Sequence, residues 1–289
     1  MLSWQVGDVK ITRILELEAT GGTRFILPQA TPEVVQTIPW LAPHFADETG
    51  RLRMSIHALV VETPTKRIIV DTCIGNDKQR DIPTWSGLQT TFLADLAAAG
   101  FPRESLDVVL CTHLHVDHVG WNTMLVDGAW VPTFPNARYL LGRAEYEYWR
   151  AEEDGNEAPE RSPFHDSVKP VWEAGLVDLV ETDHAICPGV SFEPTLGHTP
   201  GHVSVRIRSK GEEALITGDF IHHPCQLARP DWASRADYDE AASTATRRRM
   251  FADLAGSKVL VIGTHFAAPT AGHVVSDGQG YRLAVSEAP

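Results

Sequence analysis

Residues 108–118 read Val-Val-Leu-Cys-Thr-His-Leu-His-Val-Asp-His, and this stretch decides the fold. Its apolar start, 108–111, predicts a buried strand. In an extended segment His113 and His115 project to the same side, because side-chain direction repeats every two residues. A turn after His115 then brings Asp117 and His118 to a neighbouring point. Imidazole and carboxylate suit zinc and other first-row divalent metals, so this stretch predicts ligands for two adjacent ions.

One loop cannot complete the ligand shells of two metals, and three more candidates lie where strands end. His198 precedes a predicted strand at 204–208, Asp219 follows one at 214–217, and His265 follows one at 259–262. Each has a glycine close by, which lets the backbone turn tightly. The sequence therefore predicts one metal cage with these ligands: His113, His115, Asp117, His118, His198, Asp219 and His265. We expect two divalent ions, zinc by preference, with cobalt, manganese and iron as alternatives.

Strands and helices mix along the rest of the chain. Period-two apolar patterns predict a strand pair within 4–18 and strands at 56–62, 67–70, 106–111, 204–208, 214–217 and 259–262. Helical patterns occupy 87–99, 143–153, 164–174 and 239–255. This mixture indicates an α/β or α+β protein, and we treat 1–289 as a single domain.

Four short motifs resemble the metallo-β-lactamase fold superfamily in their order and spacing: HLHVDH at 113–118, GHTPGH at 197–202, TGD at 217–219 and GTH at 263–265. Asp71-Thr72-Cys73-Ile74-Gly75 also resembles an early Asp-Thr-Gly element of that family, with Cys73 in place of glycine. The resemblance runs from about residue 50 to 270. It implies a four-layer αββα sandwich of two mixed β-sheets with outer helices.

The resemblance also implies how the ligands are shared. One ion takes His113, His115 and His198. The other takes Asp117, His118 and His265, and Asp219 bridges both. His202 lies outside this set of ligands.

Differences between this sequence and other branches of the superfamily narrow the choice of branch. Asp219 argues against most antibiotic-hydrolysing classes, which lack a bridging aspartate, and His115 argues against flavodiiron enzymes, which carry glutamate there. The stretch after His265 is short for the thioester-binding helices of glyoxalase II. What remains is similar to the N-acyl-homoserine lactonases and the related methyl-parathion-hydrolase-like organophosphate hydrolases, many of which are homodimers. Motifs at 71–77, 118–122 and 134–139 resemble that branch.

A lactone or carboxylic ester hydrolase follows from this resemblance, with a hydroxide bridging the ions as the nucleophile. We assign catalytic roles to Asp117, Asp219 and His222. In the similar lactonases a tyrosine stands three residues after the bridging aspartate, where this chain has His222. That histidine favours the organophosphate-hydrolase relatives, so a phosphotriesterase is the alternative. A polar turn at His222 and His223 is equally open. The third hypothesis is a metal-binding protein with little activity, or an iron redox enzyme.

Residues 19–54 are broken by prolines yet rich in large apolar side chains. Long segments of this kind are usually functional or disordered, and the apolar content argues against disorder. We interpret the segment as a lid, pocket wall or dimer contact. Candidate substrate-binding residues, each of which could equally be core, are Phe25, Ile26, Trp40, Phe45, Trp121 and His222.

Composition excludes several partners. The net charge of −13 repels phosphate backbones, which disfavours nucleic acid. The basic cluster Arg247-Arg248-Arg249 is interpreted as a solvated helix face. No signal peptide or membrane-length apolar run is visible, so we expect a soluble cytoplasmic protein without a membrane partner. The four cysteines are widely spaced, which predicts reduced thiols, with Cys111 a small buried hydrophobe.

Overall fold

The computed structural model describes residues 1–285 and contains two large mixed β-sheets. The first sheet has seven strands in the order β1-β2-β3-β4-β5-β8-β9. They are β1 (Ser3–Val6), β2 (Val9–Thr20), β3 (Arg53–Glu62), β4 (Arg67–Val70), β5 (Val108–Leu110), β8 (Arg138–Gly142) and β9 (Val177–Val180). Strands β4, β5, β8 and β9 run parallel to one another, whereas β3 is antiparallel to β4. A separate antiparallel ribbon is formed by β6 (Thr123–Val126) and β7 (Ala129–Pro132).

The second sheet also has seven strands, in sequence order from β10 to β16. They are β10 (Ala185–Cys187), β11 (Val190–Pro194), β12 (Val203–Ser209), β13 (Glu212–Ile216), β14 (Leu260–Ile262), β15 (Ala271–Asp277) and β16 (Gly280–Ala284). Only the β13–β14 pair is parallel; the other pairs are antiparallel.

Within residues 1–285 six α-helices connect these strands: α1 (Pro32–Val35), α2 (Phe92–Ala98), α3 (Arg143–Glu153), α4 (Lys169–Glu173), α5 (Cys225–Ala228) and α6 (Glu240–Leu254). A π-helical turn, Phe164–Val168, leads directly into α4. Among the helices described here, none has both the length and the apolar character needed to cross a membrane.

The chain divides into two compact units. Unit 1 comprises Met1–Glu16 and Ile56–Thr182. Unit 2 comprises Leu17–Ser55 and the chain from Asp183 onward. The single domain over 1–289 stays a prediction, and its residues 286–289 lie outside the described residues.

In unit 1 the parallel strands form a buried interior. All three residues of β5 are buried, and so are three of the four residues of β4. Such near-continuous apolar runs are typical of parallel strands covered on both faces. Cys111, which follows β5, is also buried, as predicted.

In unit 2 the proline-broken segment belongs to the core. Leu27, Leu41 and Phe45 are at most 1% exposed and share a hydrophobic cluster with Phe251 and Phe266. The segment holds α1 and two short 3-10 turns, and a proline stands in the first turn of α1, where its missing N–H costs nothing. The large apolar side chains of 19–54 thus find most of their burial within this unit.

The predicted elements agree with the structure where apolar periodicity is strong. The strand at 67–70 and the helix at 143–153 have the predicted bounds. The helix predicted at 87–99 is shorter: α2 begins at Phe92, because Gly87 adopts a positive φ of 66° and the chain up to Thr91 is not helical. The helix predicted at 164–174 is a π-helical turn followed by α4.

Candidate metal centre

Unit 1 gathers its predicted ligands at the carboxyl ends of two parallel strands. Because β4 and β5 are parallel neighbours, the residues after Val70 and Leu110 meet at the same sheet edge. The Asp71 carboxylate therefore reaches Thr112, which donates its backbone N–H to Asp71 Oδ1 at 2.8 Å and its hydroxyl to Asp71 Oδ2 at 2.9 Å. Asp71 therefore fixes the start of the loop that carries the histidines.

The same carboxylate orients His118. Asp71 Oδ2 lies 2.9 Å from His118 Nδ1, and both side chains are buried. Since Nδ1 is engaged by this hydrogen bond, Nε2 is the ring nitrogen that can serve a metal. That nitrogen lies 3.7 Å from Asp117 Oδ1, as two ligands of one ion would.

His113 and His115 converge in the same loop. His113 Nε2 lies 3.1 Å from His115 Nδ1, and the ring planes stand at 79°. The hydroxyl of Thr112 lies 3.1 Å from His113 Nδ1 on the far side of that ring. The structure thus brings the four donors of unit 1 together as the sequence predicts.

Glu145 on α3 stabilises the loop that carries His113 and His115, and the sequence did not predict this contact. Its Oε1 accepts the backbone N–H of Leu114 at 3.0 Å and the indole N–H of Trp149 at 2.7 Å. The Trp149 ring meets the His115 ring edge to face, with centroids 5.4 Å apart. The Glu145 carboxylate therefore fixes both the backbone at Leu114 and the Trp149 ring that packs against His115.

A second carboxylate, that of the partly buried Glu16, fixes the turn after Asp71. It accepts the backbone N–H groups of Ile74 at 2.8 Å and Gly75 at 3.2 Å, and the indole N–H of Trp121 at 2.6 Å. Burial raises the pKa of Glu16, and these hydrogen bonds oppose the rise. The turn packs so closely that a Cβ on Gly120 would lie 1.8 Å from the Ile74 carbonyl oxygen.

Unit 2 likewise gathers predicted ligands at the carboxyl ends of two parallel strands. The parallel pair β13 and β14 ends at one edge, where Asp219 and His265 follow. His198 lies before β12, which is antiparallel to β13 and so begins at that edge. Asp219 Oδ2 lies 3.2 Å from His265 Nε2 and 3.6 Å from His198 Nε2. The aspartate predicted to bridge is thus the common neighbour of both histidines.

Hydrogen bonds fix the far side of each ring. His198 Nδ1 lies 2.9 Å from Asp237 Oδ1, and His265 Nδ1 donates to the Ser55 carbonyl at 3.1 Å. Both Nε2 atoms therefore face Asp219, which is the arrangement that a divalent ion requires of neutral imidazole ligands. This donor set, buried imidazole nitrogens around a carboxylate, fits zinc and similar cations.

His202 has a different place. Its Nε2 accepts the backbone N–H of Asp219 at 2.7 Å, and its Nδ1 lies 2.9 Å from the Thr195 carbonyl. Both ring nitrogens are engaged by the protein itself. This agrees with a position outside the ligand set, where His202 fixes the backbone of Asp219.

His222 is only 1% exposed. Within residues 1–285 neither of its ring nitrogens has a hydrogen-bond partner. Its Nε2 lies 3.3 Å from Asp219 Oδ2, and its ring is parallel to that of His265. His198, Asp219 and His222 form a group that could hold an ion, with one donor atom from each within 4.8 Å of the others. His222 is therefore buried beside Asp219, and the choice between a catalytic role and a polar turn stays a prediction.

His223 is built into the core instead. Its Nε2 lies 2.8 Å from the Phe45 carbonyl, and its Nδ1 accepts the backbone N–H of Cys225 at 3.0 Å. Burial lowers the pKa of His223 to about 4. The ring is thus a neutral structural element.

The candidate pocket residues divide by burial. Phe45 and Trp121 are 1% and 4% exposed, and packing accounts for both rings. Phe25 is half exposed, and Trp40 lines an open cavity of about 580 Å³ together with Trp232. Ile26 is partly buried against the core of unit 2. A substrate-binding role for these residues stays a prediction.

One interpretation was wrong. Arg247 does not belong to a solvated helix face, because its side chain is fully buried. Arg248 and Arg249 are 62% and 51% exposed, as expected for such a face. The missed signal is helical spacing: Arg247 shares a face of α6 with the buried residues Ser243, Met250 and Leu254.

Comparison with known proteins gives matches along most of the chain. A model of the metallo-beta-lactamase superfamily matches residues 52–280. An N-acyl homoserine lactonase from a Bacillus species is 31% identical over 125 residues, which cover 43% of this chain and 42% of that protein. This chain thus spans about two fifths of the length of that curated relative.

Two solved structures match over almost their whole length. Hydrolase AbOPH of the beta lactamase superfamily is 26% identical with a TM-score of 0.80, covering 100% of this chain and 98% of its own. AidC, a dizinc quorum-quenching lactonase, is 21% identical with a TM-score of 0.76, covering 99% and 97%. These matches confirm the predicted fold class, a mixed α/β protein with two large mixed sheets and helices.

Proposed function

This chain belongs to the metallo-beta-lactamase superfamily, and from that premise we propose that it is a metal-dependent hydrolase of lactones or carboxylic esters. The observation that carries the proposal is the pair of donor sets at strand ends. In each set a carboxylate or carbonyl engages Nδ1 of a histidine and leaves Nε2 toward an acidic neighbour. Such prepared imidazoles are typical of metal ligands.

We assign the ligands as the family resemblance implies. His113, His115 and His198 would hold one divalent ion; Asp117, His118 and His265 would hold the other, with Asp219 serving both. Divalent ions held in this way would activate water and polarise an ester carbonyl as Lewis acids. Zinc is our first expectation, and cobalt, manganese and iron remain alternatives because ligand type alone does not separate them.

The chain's own groups would orient the reaction and move protons. Asp219 Oδ2, which lies among the ring nitrogens of unit 2, would take up the proton of the attacking water and pass it to the leaving alkoxide. His222 Nε2 would donate a hydrogen bond to the carbonyl or leaving oxygen, since an imidazole N–H is a workable hydrogen-bond donor and acid. Asp117 would complete the ligand shell beside His118.

Lactones are the favoured substrate class because the curated relative is an N-acyl homoserine lactonase. A phosphotriesterase is the second candidate. One observation favours it: His222 stands where similar lactonases carry tyrosine. A homodimer and a cytoplasmic location remain predictions.

A substrate panel tests this proposal. Acyl-homoserine lactones, aryl esters and aryl phosphotriesters would be assayed with protein of known metal content, with and without a chelator. We expect lactone opening that chelator abolishes and added metal restores. Phosphotriester cleavage without lactone opening would support the second candidate. Metal-free protein with no activity on any class after metal addition would contradict both.

A further inference from the structure

Arg247 is a fully buried cation at the centre of α6. Its guanidinium donates hydrogen bonds to Ser243 Oγ at 3.2 Å and to the backbone carbonyls of Pro230 at 3.2 Å and Phe220 at 3.5 Å. Burying a guanidinium is costly unless a counter-charge and acceptors surround it. The acceptors are these three groups, and the counter-charge is Asp237, whose Oδ2 lies 3.7 Å from Arg247 NH2.

Asp237 connects that cation to a predicted ligand. Its Oδ1 lies 2.9 Å from His198 Nδ1, and its Oδ2 accepts the backbone N–H of Ser234 at 3.0 Å. The side chains of His198, Asp237 and Arg247 are each 0% exposed. The three therefore form a continuous buried chain from α6 to the Nε2 atom that faces Asp219.

The same guanidinium also reaches the segment of the bridging residue. Phe220, whose carbonyl accepts from Arg247, directly follows Asp219 and precedes His222 by two positions. One buried side chain thus contacts both the orienting partner of His198 and the backbone that carries Asp219 and His222.

We propose that Asp237 and Arg247 are a pair of positioning residues for metal binding: Asp237 orients and strengthens His198 as a ligand, and Arg247 holds the Asp237 carboxyl group in place. This inference rests on the proposed function. A carboxylate that accepts from Nδ1 fixes the tautomer of a metal-binding histidine and raises its basicity, and loss of such a partner costs 10–100-fold in metal affinity, in order of magnitude. Arginine suits the second role because it stays charged and offers donors in a fixed fork.

A simpler role is that Arg247 only stabilises the packing of α6 within unit 2. The two roles differ in what they affect. If Arg247 only stabilises the fold, its substitution lowers the unfolding temperature of the metal-free protein and leaves the metal affinity of the folded protein unchanged. If Asp237 and Arg247 position His198, their substitution lowers metal affinity in protein that is still folded.

The experiment compares Asp237→Asn with wild type by competition with a chromophoric zinc chelator. Asparagine keeps the shape of the side chain and an acceptor for Nδ1–H but removes the charge. We expect one of the bound zinc ions to bind about 10–100-fold more weakly, with the other less affected. The matched control is Asp231→Asn, which removes an exposed carboxylate paired with exposed Arg248 and is expected to bind zinc as wild type does.

Arg247→Lys provides a second, independent variant. Lysine keeps the positive charge but not the fork, so we expect weaker zinc binding than wild type and tighter binding than in Asp237→Asn. If Asp237→Asn fails to fold, Arg247→Lys alone decides, with Arg248→Lys as its control. The Nδ1–H proton of His198, which such a hydrogen bond moves downfield in the NMR spectrum, is expected in wild type and to be shifted in both variants.

The outcomes separate the inference from the proposed function. Wild type that binds none of zinc, cobalt, manganese and iron would remove the proposed function itself. Wild type that binds zinc, beside folded variants that bind it equally well, would overturn the positioning role and leave the proposed function standing. Weaker zinc binding in the variants, with unfolding temperatures of the metal-free proteins near that of the control, would support it.

Discussion

Asp71 Oδ2 accepts a hydrogen bond from His118 Nδ1 at 2.9 Å, although the two residues lie 47 positions apart in the chain. The parallel register of β4 and β5 makes this contact possible, because both residues follow the carboxyl ends of neighbouring strands. The carboxylate also receives two hydrogen bonds from Thr112. Asp71 is therefore both the orienting partner of a candidate ligand and the anchor of its loop.

Asp71→Asn is expected to weaken metal binding by about 10–100-fold, the usual cost of losing a carboxylate behind a ligating histidine. The loss comes from the charge, since asparagine can still accept from Nδ1–H. Metal affinity is measured by chelator competition. Asp107→Asn is the matched control: Asp107 joins the same two strands at their opposite ends, where its carboxylate accepts the Arg67 N–H. Equal affinity in the Asp71 and Asp107 variants would contradict the assignment of His118 as a ligand.

Asp219→Ala is expected to abolish hydrolysis and to lose most of the second ion, because Asp219 is the residue assigned to both ions. Its Oδ2 lies within 3.6 Å of His198, His222 and His265, so removal leaves three imidazoles without their common acidic neighbour. Metal content by mass spectrometry and initial rates on a lactone measure both effects. A fully active alanine variant would exclude a bridging role.

The ligands could be predicted from sequence because each stands next to a strong local pattern. His113, Asp219 and His265 follow apolar strands, and sheet geometry brings strand ends together. Their partners could not be predicted in the same way. Asp237 and Glu145 stand in polar surroundings of the sequence, and their roles depend on contacts with residues 39 and 31 positions away.

Segment 19–54 shows why its function could not be derived from composition. Apolar content without periodicity predicts burial but not the surface against which it occurs. Most of its large side chains pack into the core of unit 2, among them Phe45, which the sequence offered as a pocket residue. Phe25 differs, because it is 49% exposed although it is large and apolar.

The segment 19–54 remains our predicted homodimer contact and substrate entrance. An exposed aromatic ring at an interface is expected to contribute to association. Phe25→Ser should therefore raise the dimer dissociation constant by at least about tenfold, which corresponds to ~1.4 kcal/mol. Sedimentation at micromolar concentration measures it, with Leu125→Ser as the matched control, since Leu125 is 42% exposed on β6. A wild-type monomer under these conditions would contradict the prediction.

Lys78 gives a prediction about pH and stability. Its ammonium is buried, 2.9 Å from Thr123 Oγ1 and 3.3 Å from Asp166 Oδ1, and it lies over the Trp130 ring. Burial lowers the pKa of Lys78 to about 7 from its ordinary value of 10.5. Between these two values the unfolded chain binds more protons than the folded one, so folding stability rises with pH in that window.

Lys78→Met is expected to remove this dependence. The difference in unfolding free energy, wild type minus variant, should rise by up to ~1.4 kcal/mol per pH unit from about pH 7 upward. Asp166 keeps its two hydrogen bonds from Arg80 at 2.6 and 2.9 Å, so the variant retains a paired carboxylate. Urea unfolding across this pH range measures the difference, and exposed Lys169→Met is the control. A flat difference would contradict the lowered pKa.

His222 and His223 are adjacent in sequence, yet the structure predicts opposite consequences of their loss. His222 directs Nε2 toward Asp219, whereas both nitrogens of His223 are bonded to the backbone. We expect His222→Ala to retain both metals and to lower kcat on lactones by at least about tenfold, a lower bound set beneath the ~10²–10⁴-fold range typical of general acid–base help. His223→Ala should leave kcat near wild type but lower the unfolding temperature, because it empties a buried, hydrogen-bonded position. Metal content, kcat and unfolding temperature are measured for both variants. Loss of metal in His222→Ala would make it a ligand, as its grouping with His198 and Asp219 allows, and equal wild-type rates in both variants would assign His222 a structural role.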